Sequence, residues 1–249
     1  MPQQLIDFWS PFDPYGVPPY EHPSDQRALT SIRPDRTTST IDAFISNPCY
    51  FGVRSDKTLH LNLLPVPYGG DLRAADIVLL FLNPRLSFPD YHLETSPAYL
   101  KAHGDTIRQS LTGYEFPFIW LDPKLSWHSG YAYWDSRLHH TIKLIADRKF
   151  DGVYFKALRD LARRLAVIQL VPYRSLDYPT GLDGQLMSSI AARDCVKRLE
   201  AEGRTIIPMR KARDWGSAAS WRPNRKAWMT PKTEAGKAIL RCYGIDPTS

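Results

Sequence analysis

An asparagine–proline pair at the end of a long apolar run is the strongest chemical signal in the sequence. Six apolar residues run from Ile77 to Leu82, and Asn83 and Pro84 follow them. Such a run predicts a strand buried on both faces, and Pro84 should end it because proline cannot donate to a ladder. Ligands bind beyond the carboxyl ends of parallel strands, so Asn83 stands where a site residue is expected. Capping a turn is the alternative role for Asn83.

Polar residues also stand at or just beyond the carboxyl ends of the other predicted strands. They are Arg174, Ser175, Arg210, Lys232 and Thr233. Meeting at one edge of a sheet, these cations and hydroxyls would suit phosphate oxygens. The sequence has no GxGxxG, GxxxxGK[ST] or GxSxG pattern, so dinucleotide binding, nucleotide triphosphate binding and a hydrolase based on Ser175 lack support.

Strand patterns alternate with helical patterns along the chain. Strands are predicted at 57–66, 77–82, 166–173, 205–210 and, more weakly, 225–231, and helices at 40–45, 99–112, 133–148, 155–165, 184–201 and 233–243. The proline within 205–210 predicts an edge strand. This alternation predicts an α/β fold, a three-layer α/β/α sandwich with a short, mostly parallel, four-stranded central sheet.

We expect one α/β domain at 57–249, preceded at 1–56 by a proline-rich and aromatic-rich extension. The rings of Phe8, Trp9, Phe12, Tyr15 and Tyr20 should pin this extension to the domain.

Composition narrows the class of protein. The chain has 249 residues, 43% of them hydrophobic, with a net charge of +6, which is compatible with a polyanionic partner. Its three cysteines are far apart and in no CxxC pair, which argues against a disulfide framework and against a cysteine-based metal site. With no apolar span and no signal peptide, we expect a cytoplasmic monomer with no metal, no cofactor and no membrane partner.

The run Leu80-Phe81-Leu82-Asn83-Pro84 resembles the first motif of the uracil-DNA glycosylase superfamily, and it is most similar to the mismatch-specific branch. The order of elements over residues 60–243 also fits that family's α/β/α sandwich. The resemblance implies a monofunctional DNA glycosylase without cofactor, which flips a base and leaves an abasic site.

Roles for individual residues follow from the resemblance. Asn83 would position and polarise the attacking water. One aromatic residue of the stretch 116–120 would stack on the flipped base, Phe118 in preference to Phe116 or Trp120. Asp122, Asp177 and Asp90 are spare carboxylates of which one could activate the water, surface or capping roles being the alternative. The residues that would hold the DNA or the leaving base are Arg174, Ser175, Arg210, Lys232 and Thr233.

Two departures from the family pattern bear on specificity. Arg85 follows Pro84 where relatives place glycine, alanine or tyrosine, and Thr230-Pro231-Lys232 replaces the usual His-Pro-Ser. Arg85 could bond a polar substituent on the base, while Lys232 or Arg174 would stabilise the leaving group. We therefore expect a modified pyrimidine, such as the hydroxymethylated or glucosylated cytosines of phage DNA, and a role in phage defence.

Other functions stay open on the sequence alone. They are repair of uracil or mismatches, non-catalytic nucleic-acid binding, and an unrelated enzyme that clamps a small phosphorylated substrate with Arg85, Arg174 and Arg210.

Overall fold

The computed structural model describes residues 2–32, 37–38, 40–46, 57–216 and 228–247. The helices in these ranges are α1 (Gln3–Trp9), α2 (Gln26–Ser31), α3 (Ile41–Ile45), α4 (Asp90–Leu93), α5 (Pro97–Arg108), α6 (Ser129–Lys149), α7 (Tyr154–Arg164), α8 (Met187–Ala201), α9 (Ala212–Trp215) and α10 (Glu234–Cys242). The strands are β1 (Thr37–Thr38), β2 (Leu59–His60), β3 (Tyr68–Gly69), β4 (Ile77–Phe81), β5 (Leu165–Gln169) and β6 (Thr205–Pro208).

A four-stranded sheet in the order β3-β5-β4-β6 forms the centre of the fold. Strand β4 pairs in parallel with β5 and with β6, so that Leu79 is opposite both Val167 and Ile207. Strand β3 pairs antiparallel with β5. Strand β6 lies at an edge, as Pro208 predicts, because proline lacks the N–H that a second neighbour would need.

Alternate residues of the central strands point into two separate cores. Ile77 and Leu79 pack with α6, α7 and α10, whereas Val78 and Leu80 pack with α1 and α8. Every residue of β4 and β5 is buried, as expected for strands covered on both faces. The structure is therefore the predicted α/β sandwich with a short, mostly parallel sheet.

The fourth strand is not the predicted one. Of the predicted strand 225–231, residues 225–227 lie outside the described residues and 228–231 are not in a strand. The fourth strand is instead β3, whose two residues are too few to show a pattern of alternation. The predicted strand 57–66 is reduced to β2, which pairs with β1 in a separate small sheet.

The N-terminal residues pack on the sandwich through their rings. Trp9 and Phe12 are buried in the same core as α8, while Tyr15 is half exposed. The predicted division at residues 56 and 57 borders the undescribed stretch 47–56 and stays a prediction. No helix among the described residues is long and apolar enough to cross a bilayer.

Candidate active site

A cleft of about 540 Å³ opens at the carboxyl ends of β4 and β5. Its polar and large aromatic lining residues include Asn83, Arg85, Ser87, Asp90, Trp120, His128, Ser129, Tyr133, Trp134, Arg137, Gln169, Arg174, Asp177, Tyr178 and Arg210. They come from the end of β5, from the segments that follow β4, β5 and β6, including the start of α4, from a 3₁₀ turn at Ile119–Leu121, and from the first half of α6 with the residue before it. The cleft thus lies at the sheet edge that the sequence predicts.

The backbones that follow β4 and β5 stay paired beyond the strands, and this pairing sets Asn83 against Ser175. The N–H of Val171 donates to the carbonyl of Leu82 at 2.8 Å, and the N–H of Leu86 donates to the carbonyl of Ser175 at 3.1 Å. Residues 83–86 and 173–175 therefore run side by side at the cleft.

The side-chain amide of Asn83 has a fixed orientation. Its Nδ2 donates to Ser175 Oγ at 2.9 Å, to the Pro84 carbonyl at 3.3 Å and to the Ser175 carbonyl at 3.4 Å. Because carbonyl oxygens only accept, the NH₂ end must face them. The Oδ1 oxygen accepts no hydrogen bond from the described residues, so it is available to a ligand or a water in the cleft.

Several of the predicted site residues meet in this cleft. Arg85, Trp120, Arg174 and Arg210 line it together with Asn83. Ser175 does not line the cleft. It is fully buried behind Asn83, where its hydroxyl donates to the Asp177 carbonyl at 2.6 Å.

The predicted aromatic stretch is mostly core. Phe116 and Phe118 are 3% and 0% exposed and pack among the residues between the sheet and α6, so neither ring lines the cleft. Trp120 is the aromatic residue of this stretch that lines the cleft, and its ring packs closely against two glycines. A Cβ on Gly69 would come within 2.2 Å of the Trp120 ring, and one on Gly130 within 2.5 Å. Trp120 therefore replaces Phe118 as the candidate for stacking.

Of three other predicted site residues, two cap helical turns and one lies on the surface away from the cleft lining. Asp122 caps the 3₁₀ turn Pro123–Leu125 by accepting from the Lys124 N–H at 2.9 Å. Thr233 caps α10, its Oγ1 accepting from the Gly236 N–H at 3.2 Å. Lys232 is exposed and does not line the cleft.

Arg174 is buried in an ion-pair cluster with Asp90 and Glu94. Its Nη1 lies 3.3 Å from an Asp90 oxygen, and its Nη2 bonds Glu94. Because both carboxylates already neutralise it, Arg174 is poorly placed to hold a DNA phosphate. Burial raises the pKa of Glu94 to about 7, against the opposing charge of Arg174.

His128 borders this cluster as a neutral imidazole. It stacks on Tyr99 with ring centroids 4.1 Å apart, and its Nδ1 accepts from the Gly130 N–H at 2.9 Å. Burial and the charge of Arg174 lower the pKa of His128 to about 4.

The side chains of Asp90, Glu94 and His128 offer three ligand atoms within 4.8 Å of one another, a geometry that could hold a metal. The guanidinium of Arg174, however, already bonds both carboxylates. A divalent ion would have to displace this cation or lie against it, so the set fits an internal ion-pair network better than a metal centre.

Sequence reasoning missed the contribution of α6 and of β5 itself. Tyr133 and Arg137 line the cleft from α6, and His128 lines it from the N-cap position of this helix. No motif singles them out, because only the fold brings that helix to the sheet edge. Gln169 did carry a signal, since it is the one polar residue within an apolar run. Its Oε1 is buried without a hydrogen-bond partner among the described residues and could accept from a ligand.

Comparisons of the chain with protein-family models, with curated proteins and with solved structures gave no match.

Proposed function

We propose that this protein is a monofunctional DNA glycosylase. The observation that carries the proposal is the amide of Asn83, which is anchored through its nitrogen while its carbonyl oxygen is available to the cleft. A water held by this oxygen would be oriented for attack on the sugar carbon of a nucleotide whose base occupies the cleft.

The chemistry needs no strong base. The bond between the sugar carbon and the base breaks first, the electron pair leaves with the base, and a cationic sugar develops. The water oxygen then bonds that carbon, and its released proton balances the charge of the departing base. Asp177 lines the cleft and would add negative charge near the cationic sugar, whereas the charge of Asp90 is paired with Arg174.

The cleft supports a modified pyrimidine as the target. Its volume of about 540 Å³ lies within the range of sites for small molecules, about 300–1,000 Å³. Trp120 offers a surface for stacking, while Gln169, Ser129 and His128 add polar groups beyond those that a plain pyrimidine needs. Hydroxymethylated or glucosylated cytosine fits this lining, and an enzyme that removes a base confined to phage DNA would serve phage defence.

An abasic-site assay tests the proposal. The wild-type protein is incubated with duplexes carrying glucosylated hydroxymethylcytosine, hydroxymethylcytosine, uracil or a mismatch, and abasic sites are then cleaved chemically. We expect cleavage on modified cytosine. Cleavage on uracil or a mismatch alone would instead select a repair glycosylase.

Variants then assign the chemistry to Asn83. Asn83→Ala should abolish excision and leave DNA affinity within a few-fold, whereas Asn62→Ala, a half-buried position outside the cleft lining, should keep full activity. Absence of abasic product from every duplex, with DNA binding retained, would contradict the proposal and select a nucleic-acid-binding protein. Equal excision by Asn83→Ala would contradict the assignment of Asn83.

A further inference from the structure

Three arginines from separate elements line the cleft. Arg85 belongs to the loop after β4, Arg137 to α6, and Arg210 to the segment after β6, and we call them the rim arginines. None of the ion pairs within 4.0 Å among the described residues involves their guanidinium groups. Arg174 differs from the rim arginines because it forms ion pairs with two carboxylates, those of Asp90 and Glu94.

Tyr133 lines the cleft together with the rim arginines. The guanidinium carbon of Arg137 lies 3.5 Å from the centroid of the Tyr133 ring, and its Nη1 donates to the Tyr133 carbonyl at 3.0 Å. Burial raises the pKa of Tyr133, and the nearby charges of Arg137, Arg210 and Arg85 oppose that rise. Arg137 is the rim arginine in direct contact with this ring.

Arg137 is held in place before any ligand arrives. Besides the stack on Tyr133, its guanidinium carbon lies 5.5 Å from the centroid of the Trp228 ring. Its Nε is buried and has no hydrogen-bond partner among the described residues. A buried donor without an acceptor is costly, and the three guanidinium charges at the cleft have no ion-pair partner among the described residues, so the arrangement favours a bound anion.

We infer that Arg85, Arg137 and Arg210 form a phosphate-binding site at the cleft, which holds a backbone phosphodiester next to the nucleotide whose base enters it. Guanidinium groups match phosphate oxygens in bidentate geometry, and the phenol of Tyr133 adds a further donor. The inference rests on the proposed function in taking DNA as the source of the phosphate. In this inference Arg85, which is exposed, binds a phosphate, whereas the sequence predicted that it binds the base.

Salt-dependent binding tests the site. The affinity of a fluorescent duplex is measured over a range of NaCl concentrations for wild type, Arg137→Gln, Arg210→Gln and Arg198→Gln, the last an exposed position on α8 outside the cleft lining. Each rim variant should weaken binding about tenfold and reduce the slope of log affinity against log salt by about 1. Arg198→Gln should change neither quantity. Wild-type slopes in both rim variants would overturn the inference. If Arg137→Gln does not fold, Arg210→Gln, at an exposed position, tests the inference by itself.

A second measurement locates the phosphate. Single methylphosphonates, which are uncharged, replace each phosphate beside the target nucleotide in turn. Wild type should lose affinity at one position, and Arg137→Gln should be insensitive at that same position. Additive losses at every position would overturn the inference.

The source of the phosphate and the proposed function are tested separately. Nucleoside monophosphates and inorganic phosphate compete in the same assay, and competition as strong as that of the duplex would replace DNA by a small phosphorylated substrate. Reduced salt slopes in the rim variants without any abasic product would leave the site standing and remove the glycosylase. Abasic product together with unchanged salt slopes in the rim variants would support the glycosylase and overturn the phosphate-binding site.

Discussion

The side-chain nitrogen of Asn83 lies 2.9 Å from Oγ of Ser175, a serine that is completely buried. Ser175 Oγ in turn donates to the Asp177 carbonyl at 2.6 Å, so its own proton is engaged and its lone pair faces the amide. These two hydrogen bonds fix the nitrogen end of the Asn83 amide, so under the proposed function Ser175 is a positioning residue for Asn83 and not a ligand of DNA.

Ser175→Ala should therefore slow excision without weakening DNA binding. The two remaining acceptors of the Asn83 amide are 3.3 and 3.4 Å away, so the side chain gains freedom to rotate. Misplacement of a catalytic group by about 1 Å can cost about 100-fold, and we expect a loss of 10- to 100-fold in single-turnover rate.

Ser189→Ala is the matched control for this variant. Ser189 is equally buried, and its hydroxyl donates to the Leu170 carbonyl at 2.6 Å, but it does not line the cleft. Both variants should lose similar stability, about 1 kcal/mol, in urea unfolding. If both variants lost excision in proportion to their loss of stability, the result would argue against a positioning role for Ser175.

Trp120 and Phe118 should separate base stacking from core packing. Both rings are buried in one core, but only Trp120 lines the cleft. Trp120→Leu should reduce the excision rate or substrate affinity by about 5- to 150-fold, which corresponds to about 1–3 kcal/mol for base–aromatic stacking. Phe118→Leu should lower the free energy of unfolding and leave excision per folded molecule near the wild-type value. The opposite pattern would restore Phe118 as the stacking residue.

Glu94 should make folding stability depend on pH. Its pKa is raised from 4.5 to about 7 in the folded protein, chiefly by burial. Between these two pH values the folded protein keeps a proton that the unfolded chain has released. The free energy of unfolding should therefore fall as pH rises, by at most about 1.4 kcal/mol per pH unit, and level off above about pH 7.

Urea unfolding of wild type and Glu94→Gln at several pH values isolates this effect. The stability of wild type relative to Glu94→Gln should decline from pH 5 to about pH 7 and then stay constant. His128, whose lowered pKa has the opposite effect below about pH 6.5, is present in both proteins, so its contribution largely cancels. Glu115→Gln, at an exposed site, is the control. A difference that does not vary with pH would contradict a raised pKa for Glu94.

The sequence determined the central elements because their signals are local. The apolar run before Asn83 and Pro84 fixes both β4 and the point where it ends. Helical periodicity likewise predicts α5 to α8, and the interior proline predicts that β6 lies at an edge. Since parallel strands present their carboxyl ends at one edge, the place of the cleft and of Asn83 within it followed from these elements alone.

Only the tertiary structure decided which side chains meet at that edge. Arg174 and Ser175 both follow β5, and the sequence predicts a site role for each. In the structure, Arg174 forms an ion pair with Glu94 at the C-terminal end of α4, and Ser175 is buried against Asn83. Strand β3, the start of α6 and the burial of Phe118 depend on contacts between residues distant in the chain. Such contacts are set by packing and charge pairing, which leave no period or motif in the sequence.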